Sequence, residues 1–171
     1  MRILTFTSLF PNPADTTLGI FIHQRMRHVA CHSQNTVCVV APVPYFPAWL
    51  PSTRWRAISR IPKIEVTDGI TVYHPRYLLL PKVSMYFHGL LIFLGCFLLL
   101  RKLHRKIRFD CIDAHYAYPD GFAAVLAGKL LRLPVVVSAR GSDINVLSKF
   151  RVVRSMVRWT LRNSTRNIAV S

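Results

Sequence analysis

Three short runs hold most of the residues able to do chemistry: Gly19 behind an opening strand, Asp113 to Gly121 in the middle, and Arg140-Gly141-Ser142-Asp143 towards the end. His115 closes an apolar strand and stands in front of a helix start at Asp120-Gly121. In an open α/β sheet the ligand lies beyond the carboxyl ends of the strands, so the loop at each of these places is a candidate. A lone histidine is usually structural, yet at such a position it can also exchange a hydrogen bond with a ligand hydroxyl. Asp120 is placed to cap the helix Gly121–Arg132, and Asp113 reads as a strand residue. The two therefore do not make the carboxylate pair of a glycoside hydrolase. Arg140 can donate but never titrate, which favours charge pairing over acid–base work. Asp143 can cap the next helix or bind a hydroxyl. The missing side chain of Gly19 would let a phosphate reach backbone N–H groups at a helix start, although one glycine equally marks an ordinary turn. No catalytic residue and no metal site are assigned.

A sheet must position these loops. Arg2–Thr7 has strand composition; Ile22, Met26, Val29 and Ala30 then recur at helical spacing, with His23, Gln24, Arg25 and Arg27 on the other face. Thr36–Ala41 is a continuous apolar strand, as expected where helices cover both sheet faces. Residues 42–63 hold Pro42, Pro44, Pro47, Pro51 and Pro62 among Tyr45, Phe46, Trp49 and Trp55, and read as one long loop. Asp68-Gly69 predicts a hairpin turn between Lys63–Val66 and Ile70–His74. Val83–Leu100 is apolar on all sides and its 18 residues just reach membrane-spanning length. A span would put the strands on its two flanks on opposite sides of a bilayer, so a helix buried against the sheet is preferred. The basic run Arg101–Arg108 follows, suited to anionic headgroups or to the negative end of the helix. Phe122, Val125, Leu126 and Leu130 face one way in the next helix, and Val135–Ser138 is a further strand. Lys149–Arg162 forms a last helix with Phe150, Val153 and Val157 on one stripe and Arg151, Arg154, Arg158 and Arg162 on another. This succession predicts a single α/β domain with a Rossmann-like, doubly wound, mostly parallel sheet.

A length of 171 residues, half of them apolar, suits one domain with a substantial core and excludes a disordered chain. A net charge of +16 and a pI near 10.7 point to phosphates, on a membrane, a nucleic acid or an anionic substrate. No acid follows Asp143, so the arginine stripe lacks the i+4 partners of an ordinary solvated face and suggests anion binding. Cys31, Cys38, Cys96 and Cys111 show no Cys-x-x-Cys spacing and read as buried free thiols in a reducing compartment. The first residues read as a strand and not as a signal peptide.

The run Asp113-Ala114-His115-Tyr116-Ala117-Tyr118-Pro119-Asp120-Gly121-Phe122, then Leu133-Pro134 and a strand emptying into Arg140-Gly141-Ser142-Asp143, resembles the acceptor-side domain of family 4 glycosyltransferases. The opening Leu9-Phe10-Pro11-Asn12-Pro13 and Leu18-Gly19-Ile20-Phe21 match as well, whereas Val43–Lys82 is only loosely diagnostic. The resemblance implies one half of a GT-B fold. It also implies a parent reaction that moves a sugar, with retention, from a nucleotide-sugar co-substrate to a lipid-linked or polysaccharide acceptor at the cytoplasmic membrane face. His115 would face the transferred sugar, and Gly19, Asp120, Gly121, Arg140, Gly141, Ser142 and Asp143 would line the substrate side. Arg140 departs from the family's commoner His-Gly-Ser-Asp. The donor half of such enzymes carries a Glu-x7-Glu pair that a chain with Glu65 as its single glutamate does not hold. The final strand-like Asn167–Ser171 then suggests a truncated domain, inactive alone, with a complete small protein as the alternative. Two other readings stay open: a noncatalytic basic module for nucleotide or nucleic acid, against which no nucleic-acid motif is found, and a membrane-anchored interaction protein built on helix 83–100.

Overall fold

The computed structural model describes residues 1–32, 35–45, 53–79, 84–145 and 149–169. In chain order the elements are β1 (Arg2–Phe6), α1 (Ile20–His32), β2 (Thr36–Val40), β3 (Val43–Tyr45), α2 (Thr53–Ser59), β4 (Ile64–Thr67), β5 (Ile70–Tyr73) and β6 (Arg76–Leu78). There follow α3 (His88–Ile107), β7 (Cys111–His115), α4 (Phe122–Leu131), β8 (Val135–Ala139), α5 (Ser142–Asn145), α6 (Arg151–Asn163) and β9 (Arg166–Ala169). Among the described residues the main sheet has seven strands in the order β4-β5-β2-β1-β7-β8-β9. Every pairing in it is parallel except β4 with β5. This is the doubly wound, mostly parallel architecture that the alternating strand and helix patterns predict.

Parallel strands expose apolar side chains on both faces, and both are covered. On one side Leu4, Phe6, Ile112, Ala114, Val135 and Val137 pack under α3, α4 and α6. On the other, Val37, Val39, Ile70 and Val72 meet Ile22 and Met26 of α1. The β4–β5 hairpin forms as the turn residues predict, with φ of 49° at Asp68 and 77° at Gly69.

Several expectations need correction. The helix expected over Val83–Leu100 begins at His88 and runs to Ile107, taking in most of the basic run. Its buried stripe, Ile92, Cys96, Leu100 and Leu103, continues past the apolar segment, and Arg, Lys and Leu are good helix formers. The opposite face is open: Leu94 is 61% and Leu98 76% exposed. Among the described residues no helix is long and apolar enough to cross a membrane. Residues 42–63 are not one loop, because β3 pairs with β6 in a second small sheet and α2 follows. Phe46, Pro47, Trp49 and Pro51 lie outside the described residues, as do Val83, Val170 and Ser171. Cys31 is exposed and Cys111 half-buried, so only Cys38 and Cys96 are buried thiols; burial pushes Cys38 up to about 12.

The buried face of α4 is built from Ala123, Ala124, Val125, Ala127 and Gly128, while Leu130 is 63% exposed. Small residues let this helix lie close to β7 and β8, and a pattern read by side-chain size misses that face. In α6, Val153 and Val157 are buried as expected, but Phe150 is 43% exposed and Thr160 takes its place in the core. Ala124→Leu should therefore destabilise by about 1–3 kcal/mol through overpacking. Leu130→Glu should stay within about 0.5 kcal/mol of the parent. Thermal unfolding of the two variants checks this, and the reverse ranking would contradict the assigned face.

Candidate functional site

The strand order reverses between β1 and β7, and the loops leaving these two strands face each other across that point. Ser8, behind β1, donates from its backbone N–H and its hydroxyl to Asp120 Oδ2 at 2.8 and 2.9 Å. Asp120 is buried within a wide turn over Ala117–Gly121, and its Oδ1 has no hydrogen-bond partner among the described residues. It does not cap α4, which starts at Phe122 behind Gly121 without a side-chain cap. The physical reason is the turn itself, closed from Gly121 N–H to Tyr116 C=O at 2.8 Å, which aims the carboxylate inward at Ser8. Burial pushes the Asp120 pKa up to about 7, against the opposing effect of the Ser8 hydrogen bonds.

His115, at the end of β7, has no exposed surface. Its Nδ1 accepts from Arg140 Nη2 at 2.9 Å, which puts the proton of a neutral ring on Nε2, and Nε2 lies 3.5 Å from Asp113 Oδ2. Arg140 is therefore not paired with a carboxylate through its side chain. Its guanidinium stacks 4.7 Å above the Phe21 ring instead, because α1 offers it an aromatic face beside the histidine. Burial, and then the charge of Arg25, lower the Arg140 pKa from its ordinary value. Arg25 itself donates to Ser138 Oγ at 3.2 Å and lies 3.7 Å from Asp113 Oδ2, so it does not belong to an outward face of α1. Nor does His23, which is buried against Phe10 and 3.3 Å from Asp68. Three polar atoms of the cluster, Asp113 Oδ1, His115 Nε2 and Arg140 Nε, are buried with no hydrogen-bond partner among the described residues.

The other residues picked from the sequence gather around this cluster in different roles. Asp143 is fully buried; Oδ2 accepts from Ala117 N–H at 2.6 Å and Oδ1 from Arg140 N–H at 3.0 Å. It caps no helix in the usual sense and offers neither oxygen freely to a hydroxyl, because it ties the β8 loop to the turn after β7. Gly121 is buried between Thr160 and Val137. Gly141 has φ of 97°, and a side chain there would meet Asn145 at ordinary contact distance; it stands beside the exposed Ser142, whose hydroxyl donates to Tyr116 Oη at 3.3 Å. Tyr116 adopts φ of 74°, a conformation a bulky residue holds only where its surroundings impose it. Gly19 has φ of 62°, and a side chain there would overlap the Leu9 carbonyl, so this glycine is explained by backbone packing. Ser8, Phe21 and Arg25 were not legible as site residues, since only the folded sheet brings them to Asp120, Arg140 and Asp113. Among the described residues, no group of three His, Cys, Asp or Glu side chains could hold a metal ion.

Arg151, Arg154, Arg158 and Arg162 form an exposed strip on α6 and line a shallow hollow of about 460 Å³ with Trp159. The acids make contacts of their own. Asp113, Asp120 and Asp143 serve the site; Asp15 holds Thr17 and Leu18 N–H, Glu65 meets His74, Asp68 lies against His23 and Arg27, and Asp110 pairs with Arg2.

The buried Asp120 generates a prediction with a definite sign. Folded, it titrates near 7; unfolded, at the ordinary carboxylate value near 4. Between roughly pH 4 and 7 the folded chain therefore holds a proton that the unfolded chain has released. Stability linked to this group is fully present below about pH 4 and is lost as pH rises through about 7. The expected slope is up to about 1.4 kcal/mol per pH unit within that window. Asp120→Asn keeps an acceptor for Ser8 and should remove this component. Thermal unfolding of both proteins across the window checks it, and identical profiles would show that another group carries the dependence.

Comparison with known proteins bears on the whole arrangement. The family description "Glycosyltransferase Family 4" matches residues 66–171. A Bacillus subtilis (strain 168) protein assigned to teichuronic acid biosynthesis as the glycosyltransferase TuaC is 28% identical over 148 residues, covering 85% of this chain and 38% of that protein. Sucrose-phosphate synthase from Thermosynechococcus elongatus superposes with a TM-score of 0.59 at 12% identity, over 100% of this chain and 42% of the other. UDP-GlcNAc 2-epimerase from Methanocaldococcus jannaschii does so with a TM-score of 0.60 at 9% identity, over 100% and 40%. At such identities the structures speak for the fold alone, and this chain spans less than half the length of each of these proteins. The family match takes in β5, β7, β8 and β9 with the loops that follow them, more than half of the chain, and on it the chain belongs to glycosyltransferase family 4, as one α/β domain of the GT-B fold.

Proposed function

We propose that this chain is the acceptor-binding half of a retaining glycosyltransferase. The reaction moves a sugar from a nucleotide-sugar co-substrate to a lipid-linked or polysaccharide acceptor, without a resident cofactor or metal. One observation carries the reading: Asp113 Oδ1, His115 Nε2 and Arg140 Nε are left without partners in one cluster behind the carboxyl edge. Buried polar groups are rarely left unpaired, and a site waiting for hydroxyl or phosphate groups is one reason for an exception. All three atoms are closed to solvent, so the cluster must open for a ligand to reach them; an acceptor oxygen, a ring N–H and a guanidinium N–H then suit a ligand that both donates and accepts. The polysaccharide acceptor is supported by the biosynthetic role in the name of the Bacillus relative.

In this reading a second, donor-binding half must close over the site. One half alone cannot hold donor and acceptor in attack geometry, an effect worth on the order of 7–11 kcal/mol of barrier. Residues 1–171 alone should transfer no sugar from UDP-glucose, UDP-N-acetylglucosamine or UDP-glucuronic acid to a lipid extract. Fusion to the donor-side half of the Bacillus relative should restore transfer. In that fusion His115→Ala should lower turnover at least tenfold, more than the accompanying loss of stability accounts for, and Arg140→Lys should weaken binding because the planar fork is lost. A His115→Ala variant with full turnover and reduced stability would remove the basis of the reading.

The arginine strip of α6 extends the proposal to a peripheral position on the inner face of the membrane. At about 1 kcal/mol per basic residue near an anionic surface, four arginines contribute up to roughly 4 kcal/mol. Sedimentation with phosphatidylglycerol vesicles should retain the chain in a salt-sensitive way, and replacing the four arginines by glutamine should release it. Equal recovery on phosphatidylcholine vesicles would argue for apolar attachment through the open face of α3 instead.

A further inference from the structure

A second cleft lies on the α3 side of the sheet, away from the α1 side where Arg140 stacks on Phe21, and the transferase reading makes no use of it. It is a half-open cleft of about 400 Å³, within the range of about 300–1,000 Å³ usual for small-molecule pockets. One wall is the hairpin edge, with Ile64 and Tyr73; the other is the C-terminal half of α3, with Leu99 and Leu103. Around these apolar walls stand Lys63, Arg76, Lys102 and Lys106. Lys102 and Lys106 are one helical turn apart and share a face.

The charge balance of this cleft is one-sided. Among the described residues Lys63, Lys102 and Lys106 form no ion pair. The nearby carboxylate, Glu65, is engaged at 2.8 Å by His74 Nε2, whose Nδ1 faces the Ala41 carbonyl at 3.0 Å. Arg76 is held by the carbonyls of Ile58, Ser59 and Ile61, which fix the guanidinium in place without cancelling its charge. A small hydrophilic anion would leave the leucine and isoleucine walls unused, and a neutral apolar molecule would leave the cations unmatched. Lys102 and Lys106 also line a shallower hollow with Leu98, Arg101 and Arg105, on the open face of α3.

We propose that this cleft binds one anionic phospholipid molecule, its phosphate among Lys63, Lys102 and Lys106 and the start of an acyl chain on Leu99, Leu103 and Ile64. The site is separate from the arginine strip of α6, and a lipid in solution can occupy it without any membrane being present.

Calorimetric titration of the full chain with dihexanoyl phosphatidylglycerol, kept below its micellar concentration, tests this, with dihexanoyl phosphatidylcholine and inorganic phosphate as comparators. Saturable binding of one phosphatidylglycerol per chain is expected, with both comparators at least tenfold weaker. Lys102→Gln/Lys106→Gln should weaken it by about 30-fold, whereas Arg158→Gln/Arg162→Gln on α6 should leave it unchanged. Ile64→Glu, on an exposed edge position, gives an independent variant and should also lower affinity. Equal binding of inorganic phosphate would make this a simple anion site, and equal binding of phosphatidylcholine an uncharged groove; either overturns the proposal. So does an equal loss from both double variants, which would reflect net charge alone.

Discussion

Two buried carboxylates hold the ligand-facing edge of the sheet together. Asp120 draws the loop behind β1 onto the turn behind β7 through Ser8, and Asp143 draws the loop behind β8 onto the same turn through Ala117. The turn is thus gripped from both sides at the point where the strand order reverses. An ionised carboxylate is expensive to bury, and the upward shift of Asp120 shows how far its hydrogen bonds fall short of offsetting that cost. What the arrangement secures is position: His115 and Arg140 project from backbone that these two side chains fix, and Tyr116 is kept in a conformation it would not choose alone.

The site that results is built from groups whose mutual contacts are incomplete. Arg140 satisfies His115 on one nitrogen and leaves the other turned to Asp113 at 3.5 Å, longer than a good hydrogen bond. Arg25 and Phe21 support the cluster from α1. A histidine in place of Arg140 could itself gain and lose a proton. Arginine makes the local charge permanent and hands any proton movement to another group.

Much of the fold could be read from the chain because strands between two helical layers are continuously apolar and the hairpin turn has its own residue signature. The parts that could not be read have identifiable causes. The α3 boundaries moved because Leu103, with the partly buried Ile107 beyond it, carries the core-facing stripe through a basic run. The buried face of α4 escaped notice because alanine and glycine achieve close approach by being small. Asp120 had the position of a cap but sits in a wide turn that no local pattern announces. His115, Arg140, Gly141 and Ser142 were legible as a neighbourhood from the family string. Ser8, Phe21 and Arg25, which meet Asp120, Arg140 and Asp113 from far earlier in the chain, were not.

With 23 basic residues against seven acidic ones, little negative charge interrupts the positive charge of this chain. From a distance the molecule presents a field of nearly one sign. Such a field acts on the encounter before it acts on the bound state: anionic surfaces and ligands are collected faster than diffusion alone would bring them, and copies of the chain repel each other. The range of this capture is the screening length, about 8 Å at physiological ionic strength and about 30 Å in dilute buffer. Association rates measured for this chain will consequently depend on the salt in which they are taken, even where the final complex is held mainly by uncharged contacts.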